Sequence, residues 1–121
     1  MLGTSRKIRV LAYNQPVDMR KGYDGLAAVV TAAMQRDPLD GSLFVFVSRN
    51  RKRAKVLYWD GTGLCILAKR MEKGKFAALW QTSSDKPLNL TLSELQLLLE
   101  GSEWVGRVAL SPEEYFLHAP C

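Results

Sequence analysis

The spacing of apolar residues changes several times along this 121-residue chain, and each change predicts an element. Residues 8–13 read as a first strand, alternating apolar and polar only at its start. It breaks before Pro16, whose nitrogen cannot donate to a ladder. From Met19 the spacing turns helical, with Met19, Tyr23, Leu26, Val30, Ala33 and Met34 recurring every three or four residues. Asp18 and Asp24 are rival N-caps for this helix, the second because Gly22 and Gly25 each cost a helix interior about 1 kcal/mol. The helix is expected to stop near Gln35, ahead of Asp37-Pro38, with a turn at Asp40-Gly41.

A β-rich middle follows. Residues 43–47, 56–59, 64–68 and 76–80 are short apolar runs rich in β-branched and aromatic side chains, and each reads as a strand. Asp60-Gly61-Thr62-Gly63 is a strong turn signal between the second and third of them. Short connections predict an antiparallel meander. Runs that are apolar on both faces predict that helices, or a partner, cover them. Thr91-Leu92-Ser93-Glu94 matches a capping box; Leu92, Leu95, Leu98 and Leu99 form the stripe of the helix it opens, and Gly101 falls just past its end. Ser111-Pro112-Glu113-Glu114 repeats the start signal and predicts a short C-terminal helix. The expected fold is α+β: an antiparallel β-meander of four to five strands packed with two main helices and a short C-terminal helix. Residues 1–104 are expected to form a single domain, with 105–121 a tail belonging to the same unit.

Composition narrows the class. At 47% hydrophobic and 24% charged residues the chain is globular rather than disordered. No apolar run approaches the ~20 residues of a membrane-spanning helix, and the first residues lack the apolar stretch of a signal peptide. Two cysteines, Cys65 and Cys121, make no disulfide framework and fit a reducing cytoplasm.

Charge adds the sharpest signal. Seventeen Lys and Arg against 12 Asp and Glu give a net charge of +5, and Arg49, Arg51, Lys52, Arg53 and Lys55 match that whole excess within seven residues. The chain is also polarised: residues 1–75 carry a net +9 and residues 76–121 a net −4.

Little in the sequence suggests catalysis. His118 is the single histidine, no serine or cysteine sits at a nucleophile spacing, and no metal-ligand set or phosphate-binding glycine loop is present. Asp18, Asp24 and Asp60 are the only candidate acids for two-metal phosphoryl transfer, and each is more simply a helix cap or turn former. The reading is of a non-enzyme without cofactor or metal.

The basic cluster reads as a nucleic-acid contact. If the flanking strands pair, Arg49 to Arg53 occupy a hairpin tip, where five cations, Lys55 included, raise a positive potential and displace counterions from a phosphate backbone. Were all five to meet phosphates, the salt-dependence slope on B-DNA would be about −4 to −5. Arg49, Arg51 and Arg53 also suit guanine edges if the hairpin enters a major groove. The alternative is a solvated tip that protects a sheet edge. A second group, Lys69, Arg70, Lys73 and Lys75, follows the third of the runs in the middle, at the same end of a meander as the tip. The two loops are expected to form one basic surface. Arg20 and Lys21 stand near a helix N-terminus and would add to it. Tyr58, Trp59, Phe76 and Trp80 suit base stacking, although core packing is the commoner role for strand aromatics.

Several motifs in joint order carry a resemblance: residues 18–26 (Asp-Met-Arg-Lys-Gly-Tyr-Asp-Gly-Leu), Leu43-Phe44-Val45-Phe46, residues 55–65 with Tyr58-Trp59-Asp60-Gly61, residues 69–76, and Leu97-Leu98-Leu99-Glu100-Gly101 with Trp104. From about Ile8 to Trp104 the chain resembles the TnpB family, the second-open-reading-frame products of insertion-sequence-66-type bacterial mobile elements, distinct from the RNA-guided nuclease of the same name. The resemblance implies an accessory role in transposition beside a separate, larger transposase that carries the catalytic acids, and it brings no active site. The family often places bulky aromatics where this chain has Ile66-Leu67-Ala68, and residues 105–121 lie outside the shared pattern. Two partners are therefore expected, the DNA of the element ends and the element's transposase. In a second reading the protein only docks on the transposase, its acidic Glu94, Glu100, Glu103, Glu113 and Glu114 facing a basic partner.

Overall fold

A strand–helix–strand unit opens the fold. In the computed structural model, which describes residues 8–81, 86–101, 104–105 and 108–109, strand β1 (Val10–Ala12) leads through helix α1 (Tyr23–Ala32) to strand β2 (Leu43–Val47). Strands β3 (Arg53–Trp59), β4 (Leu64–Arg70) and β5 (Leu88–Leu90), helix α2 (Leu92–Leu99) and the short strands β6 (Trp104–Val105) and β7 (Val108–Ala109) follow. The main sheet has the order β4-β3-β2-β1-β5, and β6 pairs with β7 separately.

The α+β class holds, but the sheet is mixed, so the expected antiparallel meander is only partly right. β2, β3 and β4 do form a meander, whereas β1 pairs with β2 in parallel and with β5 antiparallel. The cause is the helix between β1 and β2, since a crossover of this kind returns the chain in the same direction. Residues 76–80, expected to be a strand, are not one. Phe76, Ala77, Ala78 and Leu79 are almost wholly buried, and the run packs as a loop against the sheet. The strand that completes the sheet is instead β5, three residues after Pro87 whose apolar–polar–apolar alternation is too short to stand out in the sequence. The region expected to form a C-terminal helix, beginning at Ser111, lies outside the described residues.

Both sheet faces are covered. Leu11, Phe44, Phe46 and Leu57 face α1 through Leu26, Val30 and Met34. The opposite face, with Val10, Ala12, Val45, Val47, Ala54 and Val56, meets Phe76, Ala77, Leu79 and the α2 residues Leu95 and Leu98. Strands buried on both sides need the near-continuous apolar sequence that β2 has.

The helix ends differ in how far sequence foretold them. α2 has the full capping box: Glu94 N–H donates to Thr91 Oγ1 at 3.1 Å, and Thr91 N–H donates to Glu94 Oε1 at 2.8 Å. α1 is shorter than expected and starts at Tyr23 with Gly22 as N-cap and no side-chain cap, so neither Asp18 nor Asp24 caps it. Gln35, at φ +56°, turns the chain out of the helix.

Candidate nucleic-acid interface

Three basic segments, expected from the sequence to share one surface, meet at one end of the sheet. The β2–β3 turn, residues 48–52, is closed by hydrogen bonds from Ser48 N–H to Arg53 O and from Arg51 N–H to Ser48 O, both 2.9 Å. Ser48 Oγ accepts from Arg53 N–H at 3.1 Å and donates to Asn50 Oδ1 at 2.8 Å, which stiffens the turn. The segment after β4 lies beside it, because Met71 N–H donates to Lys52 O and Phe76 N–H to Arg51 O, each at 2.8 Å. Residues 16–21 close the group through Val17 N–H, which donates to Val47 O at 3.1 Å. The expected adjacency of the 49–53 and 69–75 loops is present, although residues 76–80 are not the strand expected after them.

The cations divide by what their side chains reach. Arg51 sits at φ +64°, a conformation that costs a non-glycine residue roughly 1–3 kcal/mol, and its Nε donates to Phe76 O at 2.8 Å. Lys52 Nζ donates to Gly74 O at 3.0 Å. Lys55 Nζ donates to Met19 O at 2.8 Å and Lys21 O at 2.9 Å, binding the 18–21 segment to β3. Lys69, on the other face of the sheet, donates to Leu99 O at 2.6 Å near the C-terminus of α2. There Gly101 approaches the same loop so closely that an added Cβ would lie 2.6 Å from Met71 Cε. These four spend donors on backbone carbonyls that fix the loops. Lys55→Met, which keeps the aliphatic stem and removes both bonds, should lower stability by about 1–3 kcal/mol. The check is a lower denaturant midpoint at unchanged slope.

The remaining cations point to solvent. Arg49, Arg53, Lys21, Lys73 and Lys75 are exposed, with no hydrogen-bonded or ion-paired side-chain partner among the described residues, although Lys21 lies close enough to Asp18 to stabilise its carboxylate. Arg20 pairs with Asp18 (2.7 Å) and Arg70 with Glu72 (3.1 Å), both exposed. The guanidinium of Arg20 and its own backbone N–H together hold the Asp18 carboxyl down to about 2, so the pair stays charged through any physiological pH. A concavity of about 670 Å³ between residues 16–20 and the β2–β3 turn is lined by Arg20, Arg49 and Arg53, with Asp18, Met19 and Ser48. A second, of about 430 Å³, continues past Arg53 to Lys55 and Arg70. Met19, read in the sequence as helical, lines both; nothing in its spacing marks it as part of a groove.

Two of the candidate acids, Asp18 and Asp60, lie apart. Asp60 sits in the β3–β4 turn at the opposite end of β3 from Asp18, about 20 Å away along the strand. Its Oδ1 accepts from Thr62 N–H and Gly63 N–H, both 2.9 Å, and these bonds lower its pKa. Cys65 lies 3.5 Å from Asp60 Oδ2, and partial burial, with that carboxylate, pushes the thiol's pKa up, the reverse of an activated nucleophile. Among the described residues no group of three or more His, Cys, Asp or Glu is placed to hold a metal, and no helix is long and apolar enough to cross a membrane. Of the four aromatics, Phe76 is core, while Tyr58 and Trp80 pack half-buried against the same cluster. Trp59 is half-buried at the end of β3.

Fold and site together define a small α+β domain whose polar chemistry is concentrated in one cationic cluster of loops. The chain belongs to the family of IS66 Orf2-like proteins, which it matches over residues 8–108. The match covers the motifs that suggested the resemblance and extends into β7. It is 38% identical over 112 residues to the uncharacterized protein y4jC of Sinorhizobium fredii (strain NBRC 101917 / NGR234), covering 93% of each chain. It is 35% identical over 104 residues to the uncharacterized protein y4hO of the same strain, covering 86% of this chain and 89% of that one. No solved structure matches it significantly.

Proposed function

We propose that this protein is a non-catalytic accessory factor in the transposition of a bacterial insertion sequence and that it contacts the element's DNA through the basic end of its sheet. The family supports the setting. The observation that carries the DNA contact is the convergence of the 18–21, 49–53 and 69–75 segments on one sheet end, with five exposed cations that have no hydrogen-bonded or ion-paired side-chain partner among the described residues. Such a surface neutralises backbone phosphates and releases counterions. Its strongest donors are arginines, whose planar fork suits phosphate. The acidic residues that would favour docking on the transposase alone are less available: Glu94 is engaged in the capping box and Glu100 accepts from Gln96 at 3.3 Å. Glu103, Glu113 and Glu114 lie outside the described residues.

A gel shift on the element's terminal sequences, with and without transposase, tests the reading. The expected result is a complex with this protein alone. A shift that requires transposase, together with co-purification of the two proteins without DNA, would replace the DNA contact by the adaptor role.

A further inference from the structure

Arg53, the first residue of β3, is directly opposite Arg70, the last residue of β4. Opposite residues of an antiparallel pair share a face, with Cβ atoms about 4.5–5.5 Å apart, and like charges in that relation destabilise the sheet. The compensation is one-sided. Arg70 Nε donates to Glu72 Oε2 at 3.1 Å in an exposed pair, while Arg53 has no side-chain partner among the described residues. Arg53 is also the arginine common to the two concavities, the first lined besides by Arg49 and the paired Arg20 and Asp18, the second by Lys55, Lys69 and the paired Arg70 and Glu72. The backbone beneath it is fixed, since its N–H and C=O are both bonded to Ser48.

We infer that Arg53 and Arg70 form a clamp for a single phosphate group. A phosphodiester has two non-bridging oxygens, and two guanidinium groups at cross-strand spacing offer each of them a charge-assisted donor. The bound anion neutralises the repulsion that the empty pair carries. The inference rests on the DNA-contact reading and adds to it a subsite and a stoichiometry, two arginines to one phosphate. Its source is the DNA backbone in that reading and free phosphate otherwise.

The test uses the full chain and its R53Q, R70Q and R53Q/R70Q variants. Without nucleic acid and at low salt, R53Q should melt about 2 °C above wild type because the like-charge pair is gone. The gain should shrink in 0.5 M sodium chloride. Inorganic phosphate should raise the melting temperature of wild type above that in chloride of equal ionic strength, and should fail to do so for the double variant. On DNA, the slope of log affinity against log salt should become shallower by about 1 in the double variant, since one phosphate is lost rather than two. An R53Q chain melting at or below wild type, or a slope change of about 2 or of zero, would overturn the clamp. The phosphate arm needs no DNA. Retained DNA binding with an unchanged slope sinks the clamp and leaves the DNA contact standing. Absent DNA binding with phosphate stabilisation lost in the double variant sinks the DNA contact and supports a clamp for free phosphate.

Discussion

Phe76→Ala is expected to cost about 3–5 kcal/mol of unfolding free energy, the range for truncating a fully buried phenylalanine. Its ring is wholly buried against the sheet face that α2 also covers. Its backbone holds the strained turn beside it: Phe76 N–H donates to Arg51 O, and Phe76 O accepts from Arg51 Nε. Natural domains have roughly 5–15 kcal/mol in total, so the variant should be marginal at 37 °C. Chemical denaturation measures the loss, and Phe76→Leu, which refills most of the volume, should recover much of it. A cost below 1 kcal/mol would show that residues 76–79 are not part of the core.

That prediction rests on a segment whose sequence misleads. A continuous apolar run of five residues reads as a strand, because periodicity cannot separate a strand buried on both faces from a buried loop. What distinguishes residues 76–80 is where their backbone bonds go, to Arg51 and within a turn at Ala78, and this depends on chain far away in sequence. The local signals held better. Leu43–Val47, the Asp60 turn, the Thr91–Glu94 box and the position of Gly101 all stand where their residues predict. The parallel pairing of β1 with β2 was also legible in principle, since a helix between two strands implies a crossover, but short hairpins further on favoured a meander throughout.

The second large effect concerns binding. The combined change of Arg49, Arg53 and Arg70 to Gln removes the uncompensated tip arginine and the cross-strand pair, while sparing Arg51, Lys52, Lys55 and Lys69, whose donors hold the loops. With the pair sharing one phosphate, two phosphate contacts are lost. Affinity for DNA at about 0.1 M salt should fall about 100-fold, and the salt slope should become shallower by about 2. Circular dichroism should show an unchanged fold. Lys55→Met is the contrasting case, losing stability while keeping the exposed arginines.

The division between these two sets was not legible in the sequence. Five cations in seven residues mark the tip plainly, yet nothing in Arg51 itself signals a positive φ, and nothing in Lys55 signals that two carbonyls of the 18–21 segment lie within reach. Strand alternation places Arg53 and Lys55 on one face, but only the β3–β4 register brings Arg70 opposite Arg53. The position of residues 69–75 beside the tip follows from the topology even in a mixed sheet, since the 48–52 turn and the end of β4 are separated by two strand traversals.

The most direct test of the DNA contact is the affinity of the wild-type protein for duplex DNA of the element ends, measured without transposase across sodium chloride concentrations. Contacts from Arg49, Lys21, Lys73, Lys75 and the shared Arg53–Arg70 site predict a log–log slope of about −4 to −5. Absence of binding at 50 mM salt, or a slope near zero, would contradict it.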